Sequence, residues 1–224
     1  LLAFACERNL VVEMLRGVGD FAVADTPLAR VATSSATGIT PAAGDERKAD
    51  DESVEHELNK LYAISTVRSV KQDPAFGIVQ LVDIATKALG SAANDTTTAV
   101  ACVGHLTAVL AHAAPRYMPE PIRVENGVVR VIAISPTFES LVGEALDDVR
   151  RSARGNVTVL DKLIDALRTV GECTHDAKRR QVLAEQLRRI AEVIPRTVDA
   201  PEDRDFLTRR AKIARNELSL PSPL

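Results

Sequence analysis

Six times between residues 74 and 218, the apolar side chains of this sequence recur at alternating intervals of three and four. That spacing places them on one face of an α-helix, so each such stretch must bury a stripe against a neighbour. The stripes include Ile78, Leu81, Val82, Ala85 and Leu89; Ala99, Val103, Leu106 and Leu110; and Phe138, Leu141, Val142, Ala145 and Val149. Val157, Leu160, Leu163, Ile164 and Leu167 form a fourth, Leu183, Leu187, Ile190 and Ile194 a fifth, and Leu207, Ala211, Ala214 and Leu218 a sixth. Punctuation agrees with them. Asp73-Pro74 and Ser135-Pro136 read as N-cap followed by first-turn proline, Asn94 or Asp95 as a further N-cap, and Gly90 and Pro115 as stops.

Only 3% of the residues are aromatic and none is Trp, so the core must be built from Leu, Ile, Val and Ala. Helix packing suits that palette better than a large sheet. The expected fold is α+β and predominantly α-helical, with about six amphipathic helices packed with a small N-terminal β element and one hairpin. Residues 1–8 read as the end of a short helix. Short apolar runs at Leu10–Leu15, Phe21–Ala24 and Leu28–Val31 are broken by Gly17, Gly19, Asp25 and Pro27, which predicts two or three short strands in a subdomain covering 1–32. Residues 33–53 are small, polar and aperiodic, as in a flexible linker. A mainly helical domain is expected over 54–224. Its hairpin at 122–134 is signalled by Asn126-Gly127, a strong type I′ turn pair.

A formal net charge of -3 argues against a nucleic-acid partner, which would need a basic footprint. Arg179, Arg180, Arg188, Arg189, Arg209, Arg210 and Arg215 read as solvated helix surface, with a face toward anionic lipid or an acidic partner as the alternative. Three widely spaced cysteines, Cys6, Cys102 and Cys173, point to a reducing, cytoplasmic setting. No uninterrupted run of about 18 apolar residues is present, so no bilayer span is expected within the chain. It opens at Leu1 inside an apolar run rather than at Met, and is read as a piece of a longer protein.

Polar residues crowd between apolar faces in one segment, 68–98. Arg68, Asp73, Asn94, Asp95 and Thr97 are its candidate ligand-binding residues, because amides and hydroxyls at a helix start can converge on an anion. Helix capping explains the same residues without a ligand. Asp73 and Asn94 lie at opposite ends of one helix, about 24 Å apart at 1.5 Å per residue. They share a site only if other helices or subunits bring partners in. Cys102, His105 and His112 share a helix but lack the further ligands a metal would need, so no metal is expected. No catalytic set is present: there is no GxSxG elbow, no phosphate loop and no complete dinucleotide fingerprint.

The run QDPAFGIVQLVDIATKAL at 72–89, followed by NDTTTAV at 94–100 and ISPTFESLV at 134–142, resembles the bacterial predicted membrane protein family called domain of unknown function 2254. GDFAVADTPLARV at 19–31 is similar to that family's GDF…PLA segment. The family's S-P-x-x-N-D-P turn stands here as Gly90-Ser91-Ala92-Ala93-Asn94-Asp95-Thr96, without either proline. Lipoyl- and biotinyl-carrier turns look similar too, but no lysine lies between Leu1 and Gly44 to carry such a group, and no cofactor is expected. The resemblance implies transmembrane helices outside this chain, with this region as their soluble cytoplasmic part. Its expected role is assembly, sensing or gating without catalysis, with self-association. The rival expectation is a small-anion or nucleotide-binding enzyme using segment 68–98.

Overall fold

A computed structural model describes residues 1–35, 38–41, 48–90 and 94–219. The fold is α+β and predominantly helical, and it divides into two compact units. The first takes Leu1–Asp73 and Pro119–Ser135; the second takes Pro74–Met118 and the chain from Pro136 onward.

In the first unit α1 (Leu2–Glu7) leads into β1 (Leu10–Met14), followed by β2 (Ala29–Ser35), β3 (Gly38–Pro41) and α2 (Lys48–Asn59). The strands β4 (Ile122–Glu125) and β5 (Val128–Ile132) complete a five-stranded sheet of order β3-β2-β1-β5-β4. β1 is its central strand, antiparallel to β2 and parallel to β5, with Val12 opposite both Val31 and Val131. Leu10, Val11 and Val12 are all buried, the continuous apolar run of a strand covered on both faces. The core is small: Ala5, Val12, Leu58 and Val131, with Phe4, Val31 and Tyr62 at its edge. An Arg8–Glu57 ion pair at 2.8 Å ties the end of α1 to α2.

The hairpin forms as its turn signal requires. Asn126 and Gly127 both take positive φ, at 51° and 76°, and Glu125 pairs with Val128. It joins the first unit, because β5 supplies the parallel partner that β1 lacks locally; the sequence placed it with the helices. Phe21–Ala24, expected as a strand, is not one. Its alternating Phe21 and Val23 are exposed, and among the described residues no strand pairs with them. Within the expected linker, residues 33–35, 38–41 and 48–53 instead belong to β2, β3 and α2, because β2 extends past its apolar start to pair with β3. Residues 36, 37 and 42–47 lie outside the described residues, as do 91–93 of the proline-free turn.

The second unit holds the six helices that the stripes predict: α3 (Pro74–Gly90), α4 (Thr96–Ala113), α5 (Phe138–Ser152), α6 (Val157–Glu172), α7 (Ala177–Thr197) and α8 (Pro201–Ser219). α4 packs on α3 and α6, α5 on α3 and α7, and α8 on α6 and α7. Leu106, Leu110, Leu160, Leu163, Leu167, Leu183, Leu187, Ile190, Ile194 and Leu207 are wholly buried between them. At 25 cal/mol per Å² of apolar surface, each such side chain contributes about 1.5–3 kcal/mol. Thr137, not Ser135, caps α5: it accepts from the Ser140 amide at 3.1 Å, while Ser140 Oγ accepts from the Thr137 amide. This capping box satisfies two helix-end groups at once.

Length and composition alone would let α4 cross a membrane. It packs on α3 and α6 along Ala99, Val103, Leu106 and Leu110, while only 28% of it is buried, so the expectation that nothing here could span a bilayer does not hold by length and composition. Two of the arginines expected on a solvated face do structural work. Arg179 donates to the carbonyls of Ala113 and Ala114 at the end of α4 and lies over the Phe138 ring at 5.4 Å. Arg180 donates to Gly171 O at 3.1 Å and Leu218 O at 3.0 Å, the ends of α6 and α8. A cation at a helix C-terminus satisfies orphan carbonyls and the macrodipole together.

Candidate functional site

A polar cluster in the first unit lies where the loop after β1 meets the segment before α3. Asp20 turns the loop back on itself: its carboxylate accepts from the Gly17 amide at 2.7 Å and its own amide donates to Gly17 O at 3.3 Å. Gly19, inside this turn, has φ +87°, a left-handed conformation that glycine adopts without steric cost. In the second segment the amides of Gln72 and Asp73 both donate to Ser69 O, at 3.2 and 3.0 Å. That turn brings Arg68 round onto Asp73, with Nε 2.7 Å and Nη2 2.5 Å from Oδ2.

The two segments touch through this ion pair. A Cβ on Gly19 would stand 2.7 Å from Arg68 Nε and closer still to Asp73 Oδ2, so a side chain there would have to displace the pair. Asp73 is 6% exposed, and a carboxylate so enclosed needs its guanidinium. On either side, large apolar groups face solvent. Val18 is 64% exposed, Phe21 86% and Val67 67%; Val70 and Ile134 are about half exposed, and Ile134 Cγ2 lies against Gly17.

Of the residues singled out from the sequence, the structure joins Arg68 to Asp73 within the first unit. Asn94, Asp95 and Thr97 belong to the second. Asp95 is the N-cap of α4, accepting from the Thr98 amide at 3.0 Å and the Thr98 hydroxyl at 2.6 Å. Those hydrogen bonds hold its carboxyl below the usual range. Asn94 occupies a left-handed position, φ 43°, just before the cap, and Thr97 is exposed on the first turn. Thr96 accepts from Asn156, the N-cap of α6, at 2.8 Å, so the starts of α4 and α6 are bonded together. The Asp95 carboxylate sits where an anion at this helix start would sit.

His105 and His112 are exposed, while Cys102 is buried and burial pushes its thiol up. Among the described residues no group of three His, Cys, Asp or Glu side chains could hold a metal ion. Sequence reasoning missed Gly19 and Phe21. Their signal was Gly17-Val18-Gly19-Asp20-Phe21, read there as turn punctuation and as part of the family's GDF…PLA segment but not as site residues.

Comparison with known proteins places this geometry in a family. Uncharacterised proteins of Mycobacterium bovis and of two strains of Mycobacterium tuberculosis are each 30% identical over 158 residues. Each match covers 70% of this chain but 30% of the relative, so the chain spans about a third of their length. No solved structure matches. The profile of the predicted membrane proteins of domain of unknown function 2254 matches residues 1–169, which takes in both the Gly19 loop and the Arg68–Asp73 pair. The chain belongs to that bacterial family.

Proposed function

We propose that this region is a non-catalytic, cytoplasmic assembly region of a membrane-anchored protein, serving sensing or gating through association of its own copies. Self-association uses the apolar surface beside Gly19. The observation that carries the reading is Phe21, a phenyl group 86% exposed on a loop that the Asp20 turn and the Arg68–Asp73 pair hold in place. Aromatic side chains bury about 150–250 Å² when covered, and a fixed loop loses little entropy on docking. A second copy offers the same apolar groups and so a self-complementary patch. Contact with the membrane falls to segments outside this chain, and the free thiols Cys6, Cys102 and Cys173 suit a reducing compartment.

The enzyme reading gains less support. Arg68 and Asp73 neutralise each other, and Asp95 is engaged as a cap. Light scattering on the full-length protein in detergent tests the proposal. An oligomer that becomes a monomer in Phe21→Ser supports it; a monomeric wild-type protein overturns it.

A further inference from the structure

The second unit carries an independent feature. Between α5 and α7 runs a groove of about 510 Å³, within the size range of small-molecule sites. Glu139, Gly143 and Asp147 line one wall at helical spacing; Lys178, Gln181, Val182, Glu185, Gln186 and Arg189 line the other. Helices normally fill such a seam with apolar side chains. This one is polar.

Three details point to a ligand. Gln186 is 5% exposed and lines the groove, and its side-chain amide forms no hydrogen bond with a described residue. Leucine would fill the same volume without bringing an amide to this seam. Gly143 lies inside α5, where glycine is a poorer helix former than alanine. Nothing in the fold requires it, since a Cβ there would meet only Asp147 Oδ2 at an ordinary 3.7 Å. The glycine keeps the groove open. Finally, the charges are sorted. Asp147 is paired with Arg150 at 3.3 Å and Arg189 at 3.5 Å, and Glu185 with Arg188 at 2.7 Å and Arg189 at 3.3 Å. Glu139 on α5 and Lys178 on α7 form no ion pair with a described residue.

We infer that this groove binds a small zwitterion of the amino-acid class. Lys178 receives the carboxylate, Glu139 the ammonium, and Gln186 hydrogen-bonds the ligand from the floor, which Gly143 leaves uncovered. One unpaired cation and one unpaired anion favour a ligand bearing both charges over an ion of either sign.

Calorimetric titration of the purified chain with glycine, L-alanine and L-glutamine tests this, with acetate and methylammonium as single-charge controls. Saturable binding of at least one amino acid is expected by about 10 mM, at least tenfold tighter than either control. Gly143→Leu, which fills the groove with a good helix former, and Lys178→Ala, on an exposed turn, should each weaken it at least tenfold while circular dichroism stays unchanged. Phe21→Ser should bind normally, since the groove does not depend on self-association. Absence of saturable binding for all three amino acids overturns the inference, as does equal binding of acetate or undiminished binding by Gly143→Leu.

Discussion

Gly19 and Asp73 stand 54 positions apart in sequence, and the carboxylate of one occupies the space where the other would carry a side chain. Gly19→Ala therefore incurs two costs, a left-handed conformation at about 1–2 kcal/mol and displacement of the Arg68–Asp73 pair. At about 2–4 °C per kcal/mol for a chain of this size, a melting temperature lower by about 2–8 °C is expected. An unchanged melt would show that the loop is free to move away from the pair.

Arg68→Ala takes the guanidinium away from the enclosed Asp73 carboxylate, whereas Arg68→Ala combined with Asp73→Ala removes both. Chemical denaturation of the two single variants and the double variant should give a coupling of about 1–2 kcal/mol, with the double variant less destabilised than the sum. Strict additivity would contradict an energetic link between them.

The helical bundle was largely legible from its sequence, and the first unit was not. Stripes such as Leu183, Leu187, Ile190 and Ile194 state their helix locally, and all four are buried as spacing requires. Asn126-Gly127 likewise carries its turn in two residues. Val12, by contrast, finds a parallel partner in Val131, far along the chain, and no local pattern encodes that pairing. Arg68 and Asp73 are five apart on a non-helical segment, so the sequence named both as candidate ligand-binding residues but no helical spacing could pair them with each other. Arg180 read as helix surface because its partners are carbonyls, which every sequence contains.

Arg180 holds the ends of α6 and α8 through Gly171 O and Leu218 O. Arg180→Ala should lower stability by about 1.5–3 kcal/mol, the range for hydrogen bonds from a charged donor. Hydrogen exchange should accelerate most in the last turn of α8. Protection there equal to the wild type would sink this assignment.

On α7, Arg188 donates to both carboxylate oxygens of Glu185, at 2.8 and 2.7 Å, and pulls its titration from 4.5 down to about 2. The folded value lies below the unfolded one, so the contribution to stability is complete above about pH 4.5 and is lost as pH falls toward 2. A carboxyl NMR titration should find the Glu185 midpoint near 2 in the wild type and clearly higher in Arg188→Gln. A midpoint that does not move would show that Arg188 is not the cause.

The central claim, that copies of this protein meet through the surface beside Gly19, is tested most directly by photocrosslinking in membranes. A photoreactive amino acid replaces Phe21 or Val67 in the full-length protein, with exposed Glu192 on the second unit as the control position. The account predicts an adduct of twice the protein's mass, composed only of this protein, from positions 21 and 67 and not from 192. No homomeric adduct from either position, or an equal yield from 192, would contradict it.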